Sequence, residues 1–284
     1  MKLNSIYRID ALKGLKKLKD DSVDCIITSP PYWALRDYEN KNQIGVETNP
    51  LEFVNKIVEI IKECKRVVKP TGTIWLNLGD SYYTDIASGI RGEIITKYKK
   101  KIKKSDSNLL QLKQKLLIPY RIAIKCQDEL GLILRNDLHW IKQMFNFKTK
   151  DSWGYSMPSA VQDRLNTCSE SLFFFVKNKR YYFNLNKIKI PKRTSSGSKN
   201  PGDCVIFPLE PSKEKHSAMF PQTLPEFCIL SGCPEKGIVL DPFMGSGTTA
   251  IVAKRLNRNF IGFDLNKGYI QIANRRLSQI ENGK

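Results

Sequence analysis

Short apolar runs alternate with segments of helical periodicity along most of this chain. The run Val23–Thr28 is rich in β-branched residues, which predicts a buried strand. Pro30 and Pro31 follow almost at once, and proline cannot donate a hydrogen bond to a neighbouring strand. The chain is therefore expected to leave the sheet abruptly after this strand.

A long helix is predicted next. Asn49 is a good N-cap, Pro50 suits the first helical position, and apolar residues recur at helical spacing from residue 54 to residue 68. The turn residues 70–72 should end this helix. The apolar run 73–78 then predicts a second strand.

The middle of the chain combines further elements with two basic segments. Apolar patterning predicts a helix over 118–130 and a strand over 132–140. The apolar runs 171–176 and 180–183 flank Lys-Asn-Lys, which predicts a β-hairpin. The basic segments, which should lie outside the sheet, are 84–115 and 178–204, and the first of them is equally compatible with a solvated loop.

The last part of the chain has the most regular pattern. A strand over 237–241 leads through a glycine-rich turn to a helix over 248–256. A second strand, Asn259–Asp264, and a final helix over 269–280 follow. This order is typical of a right-handed βαβ unit in a parallel sheet, so we expect an α/β fold.

Composition adds a charge argument to this outline. Lysine and arginine outnumber aspartate and glutamate by 47 to 28, giving a net charge of +19, which favours a polyanionic partner such as nucleic acid. The seven cysteines are scattered and there are only two histidines, so we expect no metal site and a reducing cytoplasm. We expect no membrane partner, because no apolar run is long enough to span a bilayer.

The glycine-rich turn over 241–249 is a candidate cofactor site. It follows a strand of a predicted parallel sheet, where ligands bind, and Gly245 and Gly247 allow a close approach of backbone to ligand. Asp264 ends the next strand, roughly 20 residues later, at the place where a carboxylate accepts from ribose hydroxyls. An adenosine-containing ligand is therefore predicted.

Other interpretations of this turn are weaker. A phosphate-binding loop needs a lysine directly after its last glycine, and Thr248 stands there. A dinucleotide site needs a third glycine where the chain has Ala250. A turn that only links a strand to a helix remains the alternative.

The segment that follows the first strand is a candidate catalytic site. Two prolines fix its backbone, so the Ser29 hydroxyl and the Pro30 carbonyl are held as acceptors for the two N–H groups of an exocyclic amine. Tyr32 offers a ring for stacking a base that has turned out of the duplex. A rigid surface loop is the alternative interpretation.

Both motifs resemble those of the DNA amino-methyltransferases. Ser-Pro-Pro-Tyr at 29–32 is similar to the catalytic motif of that family, and 241–249 is similar to its cofactor motif, in the permuted order of the beta group. The resemblance implies a Rossmann-like S-adenosylmethionine-dependent methyltransferase fold with inserted target-recognition segments. It further implies one domain over 1–284, with the sheet core in about 1–83, 116–177 and 205–284.

The resemblance also implies roles for individual residues. The catalytic residues would be Ser29, Pro30, Pro31 and Tyr32. The residues around S-adenosyl-L-methionine would be Asp10, Asp241, Phe243, Gly245, Gly247, Thr248, Asp264 and His216. Lys192, Arg193 and Trp33 would contact DNA, with 178–204 as the target-recognition segment. The stretch 168–171 reads Cys-Ser-Glu-Ser where relatives carry His-Glu, and it receives no role.

Serine ahead of Pro-Pro-Tyr favours, within this family, the N4 amine of cytosine over the N6 amine of adenine. The expected substrate is double-stranded DNA in the cytoplasm, at the nucleoid, with a cognate restriction endonuclease acting on the same sequence. An adenine-N6 enzyme, an RNA methyltransferase and a noncatalytic nucleic-acid-binding protein are the alternatives.

Overall fold

The structure, a computed structural model, describes residues 1–33, 43–47, 49–83, 111–154, 161–194, 196–208 and 220–282. Its strands are β1 (Ser5–Arg8), β2 (Val23–Thr28), β3 (Val68–Leu78), β4 (Ile133–Ile141), β5 (Gln143–Phe145), β6 (Ser152–Gly154), β7 (Ser169–Val176), β8 (Ile190–Pro191), β9 (Ser198–Lys199), β10 (Cys204–Val205), β11 (Ile238–Asp241) and β12 (Asn259–Asp264). Its helices are α1 (Ala11–Leu15), α2 (Pro50–Val67), α3 (Ile118–Asp128), α4 (Thr223–Gly232), α5 (Thr248–Arg255) and α6 (Lys267–Asn282), and a 3-10 helix spans Leu185–Lys187.

One eight-stranded sheet organises these elements, in the order β1-β12-β11-β2-β3-β7-β4-β10. Strand β7 is antiparallel to its neighbours β3 and β4, and the other neighbouring pairs are parallel. The carboxyl ends of the parallel strands and the first residues of β7 therefore share one edge of the sheet, called the active edge below. The predicted α/β class is confirmed.

Helices cover both faces of the sheet. Helices α1, α2 and α3 pack on one face, and α4, α5 and α6 pack on the other. Strand β7 shows the division, since Phe173 and Phe175 belong to the first core while Phe174 belongs to the second. The Trp75 ring stacks on Phe174 with 4.2 Å between ring centroids. Because residues 172–176 of β7 are buried on both faces of the sheet, this part of the strand is continuously apolar rather than alternating.

The junction between α2 and β3 differs from the prediction. The helix ends at Val67, and β3 begins at Val68 without an intervening turn. Gly72 is needed for packing rather than for stopping the helix. A Cβ atom at this position would lie 2.5 Å from the Val68 side chain and 2.8 Å from the Asp24 carbonyl oxygen.

The hairpin predicted around residues 177–179 is wrong. Strand β7 pairs with β3 and β4, which are distant in sequence, and residues 180–183 form no strand. The backbone N–H of Tyr182 instead donates to the Thr71 carbonyl oxygen at 2.8 Å. The aromatic side chains of this segment cover the core beside β7.

Strand β1 was not predicted from the sequence. Its residues are mostly half-buried, and it has no continuous apolar run. It extends the sheet beyond β12 by parallel pairing, with Arg8 opposite Asp264. The final βαβ unit, by contrast, has the predicted order, because β11 and β12 pair in parallel and α5 connects them.

Some expectations fall on residues that the structure does not describe. His216 lies outside the described residues, and so does most of the first basic segment, 84–110. Among the described helices, none combines the length and apolar character needed to cross a membrane. Within the described ranges, no three His, Cys, Asp or Glu side chains are grouped as metal ligands.

Candidate active site

The two candidate motifs meet at the active edge, where β2 and β11 are neighbours. The chain turns out of the sheet after Thr28, and the buried Thr28 hydroxyl donates to Oδ1 of Asp241 at 2.9 Å. This bond joins the last residue of one strand to the last residue of the other. Residues separated by most of the sequence are thus brought together, as the shared edge of a parallel sheet requires.

The hydroxyl hydrogen of Ser29 is used in a hydrogen bond within the protein. Ser29 Oγ donates to Oδ1 of Asn77 at 3.1 Å. The Asn77 amide is fixed in turn, because Nδ2 donates to Oε2 of Glu170 and to the Ser171 carbonyl oxygen, both at 3.2 Å. A serine hydroxyl has one hydrogen and two lone pairs, so Ser29 is left to act as an acceptor.

The Tyr32 ring is held at both ends. Its hydroxyl donates to Oε2 of Glu170 at 2.6 Å and lies 3.2 Å from Oδ1 of Asn77. The ring edge packs on Gly79, where an added Cβ atom would come within 2.5 Å of the ring carbons. Tyr32 therefore keeps a fixed orientation beside Ser29.

Glu170 is the centre of this network, although the sequence alone gave it no role. The carboxylate accepts from Tyr32 and Asn77, and it forms an ion pair with Lys142. The Lys142 ammonium also lies 4.6 Å from the Trp140 ring centroid. Because β7 runs antiparallel to its neighbours, Glu170 lies at the beginning of a strand and still reaches the active edge.

Pro30, Pro31 and Trp33 are wholly or partly buried within the segment that follows β2. Pro30 is buried and Pro31 is half-buried. Trp33 has only 2% of its surface exposed, and its indole N–H donates to the Glu47 carbonyl oxygen at 3.0 Å. The expected contact of Trp33 with DNA is therefore corrected, because a ring enclosed by protein has no face to offer to a base.

Asp241 supports the turn rather than presenting a free carboxylate. It is 1% exposed, and besides the Thr28 bond it accepts from the Phe243 N–H at 3.0 Å and the Thr249 hydroxyl at 2.7 Å. Burial raises the pKa of Asp241 to about 6, even though these three donors favour the ionised form. Phe243 is half-buried against the first core.

The glycine-rich turn has room for a ligand on one side only. Gly245 has φ +53°, and apart from its two chain neighbours a Cβ atom there would find no heavy atom of the described residues nearer than 4.0 Å. Gly247 has φ +86° and is packed against Ala273, 2.7 Å from where its Cβ atom would stand. Gly245 is thus the residue that a ligand can approach, and Gly247 is a close-packing residue.

Arg276 stabilises this turn from α6. Its guanidinium donates to the Ser246 carbonyl oxygen at 2.8 Å and to the Ser246 hydroxyl at 3.2 Å. It also lies within 3.4 Å of the Thr248 hydroxyl oxygen, and Thr248 is 5% exposed. Thr248 therefore faces the protein, and Arg276 joins Asn77 and Glu170 as a site residue that the sequence did not reveal.

Asp264 ends β12, and Asp10 follows the adjacent strand β1 by two residues. Asp264 accepts from the backbone N–H groups of Gly245 at 2.8 Å and Asn266 at 2.7 Å, and burial raises its pKa. Asp10 caps α1 by accepting from the Lys13 N–H at 3.0 Å. Each carboxylate oxygen has two lone pairs, so Asp264 retains acceptor capacity for ribose hydroxyls beside the open face of Gly245.

Lys192 and Arg193 lie on the small β8–β9 hairpin, which forms a two-stranded sheet of its own. Both side chains are exposed, and the Lys192 N–H closes the turn by donating to the Gly197 carbonyl oxygen at 3.1 Å. The hairpin precedes β10, which pairs with β4 at the end of the sheet.

A simple signal marks two of the missed residues. Asn77 is an amide within the buried end of β3, and Glu170 is a carboxylate at the start of β7, two residues before its apolar run. Buried polar groups in such positions need partners, so they are candidates for a functional network. Their partnership across β2, β3 and β7 could not be derived without the strand order.

Comparison with known proteins assigns nearly the whole chain to the family that the two motifs resemble. The model of the N6/N4 DNA methylase family matches residues 23–275. The type II methyltransferase M.Cfr9I of Citrobacter freundii is 36% identical over 283 residues, which cover 96% of this chain and 87% of that protein. The type II methyltransferase M.SmaI of Serratia marcescens is 35% identical over 275 residues, which cover 94% and 88%.

Solved structures share the fold. The cytosine-N4-specific PvuII DNA methyltransferase matches with a TM-score of 0.71 and 21% identity, over 98% of this chain and 90% of that one. A putative DNA modification methylase of Thermus thermophilus, solved with S-adenosyl-L-methionine, matches with a TM-score of 0.62 and 20% identity, over 98% and 96%. These likenesses confirm the predicted methyltransferase fold.

Proposed function

Since the chain belongs to the N6/N4 DNA methylase family, we propose that it transfers a methyl group from S-adenosyl-L-methionine to the N4 amine of cytosine in a short duplex sequence. The observation that carries this proposal is the hydrogen bond that the Ser29 hydroxyl donates to Asn77. A serine held in this way is an acceptor, and an acceptor is what an exocyclic amine needs. The relatives named type II methyltransferases support the reaction class.

The residues at the glycine-rich turn fit S-adenosyl-L-methionine. Gly245 leaves one side of the turn open, and the Asp264 carboxylate stands beside it to accept from ribose hydroxyls. When bound there, the cofactor supplies a methyl group activated by a sulfonium centre. Asp241, Thr248 and Arg276 act indirectly in this proposal, because their hydrogen bonds hold the turn in shape.

Ser29 and Pro30 prepare the amine. The Ser29 Oγ atom accepts one N–H of the base, and the Pro30 carbonyl oxygen accepts the other. These bonds draw the nitrogen lone pair out of conjugation with the ring, which makes the amine a better nucleophile. The methylated nitrogen is cationic and acidic, so it releases its proton to solvent, and orientation supplies much of the rate. Tyr32 stacks on the base that has left the duplex.

Two observations favour cytosine as the methylated base. Serine occupies the first position of the catalytic motif, and the PvuII enzyme, which shares the fold, is cytosine-N4-specific. The family includes adenine-N6 enzymes, so adenine is the alternative substrate.

The biological setting proposed is a type II restriction–modification system. Segment 178–204 would recognise the target sequence, with Lys192 and Arg193 contacting phosphates to position the duplex. A cognate restriction endonuclease would cleave the same sequence when it lacks the methyl group. The whole chain would act as one methyltransferase domain.

Nucleoside mass spectrometry tests the reaction and the base together. Purified protein is incubated with unmethylated genomic DNA and S-adenosyl-L-methionine carrying a labelled methyl group, and Ser29→Ala serves as the control variant. Label in N4-methylcytosine is the expected result. Label only in N6-methyladenine would overturn the choice of base, and absence of label in DNA would overturn the proposed function.

A further inference from the structure

A β-hairpin at the active edge carries aromatic side chains that nothing in the described structure covers. It consists of residues 142–154, is called the aromatic hairpin here, and includes β5 and β6. Its apolar side chains are among the most exposed of the protein. Phe147 is 76% exposed, and the others that stand out are Met144, Phe145 and Trp153.

The hairpin is an ordered element rather than a loose loop. The Asn146 N–H donates to the Asp151 carbonyl oxygen at 2.9 Å, and the Asn146 side-chain oxygen accepts from the Lys148 and Thr149 N–H groups. At the other end, Gly154 has φ +85°, and a Cβ atom there would lie 2.2 Å from the Lys142 carbonyl oxygen. These constraints order the backbone that carries the exposed aromatic side chains.

Both faces of the hairpin are apolar. Met144 is paired with Trp153 across the two strands, so their side chains share one face. Phe145 points to the opposite face and meets Phe147 edge-on, with 6.3 Å between ring centroids. A soluble protein rarely exposes such a cluster unless it binds something.

The position of the hairpin indicates what it binds. It starts directly after β4, whose last residue is opposite Ser169 at the active edge. Lys142, at its foot, forms the ion pair with Glu170, and Glu170 accepts from the hydroxyl of Tyr32. A continuous chain of contacts therefore connects the hairpin with the ring proposed to stack on the target base.

The positive charge of the hairpin indicates which class of partner it binds. Lys148 and Lys150 are exposed at its tip, and the Lys150 ammonium lies 3.8 Å from the Phe147 ring centroid. Lysines interleaved with exposed aromatic rings suit a polyanion with flat apolar faces, which is the chemistry of nucleic acid. The net charge of +19 points to the same partner.

We propose that the aromatic hairpin contacts the DNA beside the target base, with its aromatic rings packed on bases and its lysines on phosphates. This inference rests on the proposed function for its choice of DNA. Bases next to a turned-out nucleotide lose a stacking neighbour, and an aromatic side chain can replace it. The hairpin would be a second DNA-contacting element, separate from segment 178–204.

The tryptophans of the chain provide a direct test. All four lie in the described residues, and Trp33, Trp75 and Trp140 are at most 3% exposed, whereas Trp153 is 49% exposed. Acrylamide quenching of tryptophan emission therefore reports mainly on the hairpin. Adding unmethylated duplex fragments should lower acrylamide access to the level of the Trp153→Phe variant, which is the control.

A second variant tests the energetic contribution. Phe147→Ser should weaken binding to the same fragments by roughly 5- to 100-fold, the loss expected for one base–aromatic stack. Ile124→Ser is the matched control, because Ile124 is an exposed apolar residue on α3. Its binding should equal that of the wild-type protein.

The outcomes separate this inference from the proposed function. Unchanged acrylamide access at saturating DNA would overturn the inference even if cytosine were labelled. Access that falls with protein concentration alone would also overturn it, because a second copy of the chain would then cover the hairpin. If DNA shields Trp153 while no base is labelled, the inference stands and the proposed function fails.

Discussion

The Thr28 hydroxyl and the Asp241 carboxylate are hydrogen-bonded at 2.9 Å, although most of the chain separates them in sequence. The bond connects the strand that leads into Ser29 with the strand that leads into the glycine-rich turn. Displacing either strand end would therefore move both the proposed acceptor and the proposed cofactor site. The buried carboxylate that makes this connection also gives the fold a dependence on pH.

Asp241→Asn should make the stability of the protein less dependent on pH. In the folded protein the pKa of Asp241 is raised from 3.8 to about 6, so between these values the folded state binds more protons than the unfolded state. The contribution of this group to the free energy of unfolding therefore falls as pH rises through 6, by about 3 kcal/mol in total. Asparagine has a similar shape and does not titrate.

Urea denaturation of both proteins at several values between about pH 4 and pH 7 measures this effect. The variant should gain stability relative to the wild-type protein as pH rises. A constant difference across this range would show that Asp241 titrates with the same pKa in the folded and unfolded states.

Asn77→Leu should lower kcat by roughly 10- to 100-fold, about 1–3 kcal/mol, because Ser29 loses the partner that orients its hydroxyl. The affinity for S-adenosyl-L-methionine should change little. A double-mutant cycle with Ser29→Ala identifies the route of the effect. If Asn77 acts through Ser29, the double variant should be no slower than Ser29→Ala alone, and additive losses would contradict this.

Gly79→Ala should reduce methyl transfer by displacing the Tyr32 ring. The new methyl group would lie 2.5 Å from the ring carbons, closer than atoms can approach, so the ring must move. We expect a lower kcat/KM for DNA and an unchanged Kd for S-adenosyl-L-methionine, which calorimetry can determine. Wild-type kcat/KM in this variant would show that the orientation of Tyr32 does not matter.

Asp264→Ala should raise the Kd for S-adenosyl-L-methionine by an amount equivalent to about 1–3 kcal/mol. The ribose hydroxyls would lose their acceptor, and the Gly245 N–H would lose its partner at 2.8 Å. Isothermal titration calorimetry on the folded variant measures the loss. An unaltered Kd would place the ribose elsewhere.

Local patterns sufficed to predict the final βαβ unit of the protein, where the cofactor site is proposed. The turn around Gly245 and Gly247 and the strand Asn259–Asp264 are encoded by neighbouring residues, so the βαβ unit could be derived from sequence. Strand β1 was missed because its residues are only half-buried and show no apolar run.

The network around Glu170 could not be predicted for a different reason. Its members lie on β3 and β7 and directly after β2 and β4, and they meet only through the strand order. The same order explains the false hairpin at 177–179, since β7 finds its partners far away in sequence rather than in the next apolar run. The pairing of strands that are far apart in the chain cannot be derived from the pattern of a single sequence.

The reversed direction of β7 has a consequence for how such a protein can diversify. The chain leaves the sheet at Ile141 and re-enters at Ser169 on the same edge, since these two residues are opposite each other. The connection between them, which carries the aromatic hairpin, therefore begins and ends at the active edge, next to Glu170. A longer or shorter connection would leave the paired registers of β4 and β7 unchanged. If the hairpin contacts DNA as proposed, we expect related chains to differ here in length and in how they engage DNA.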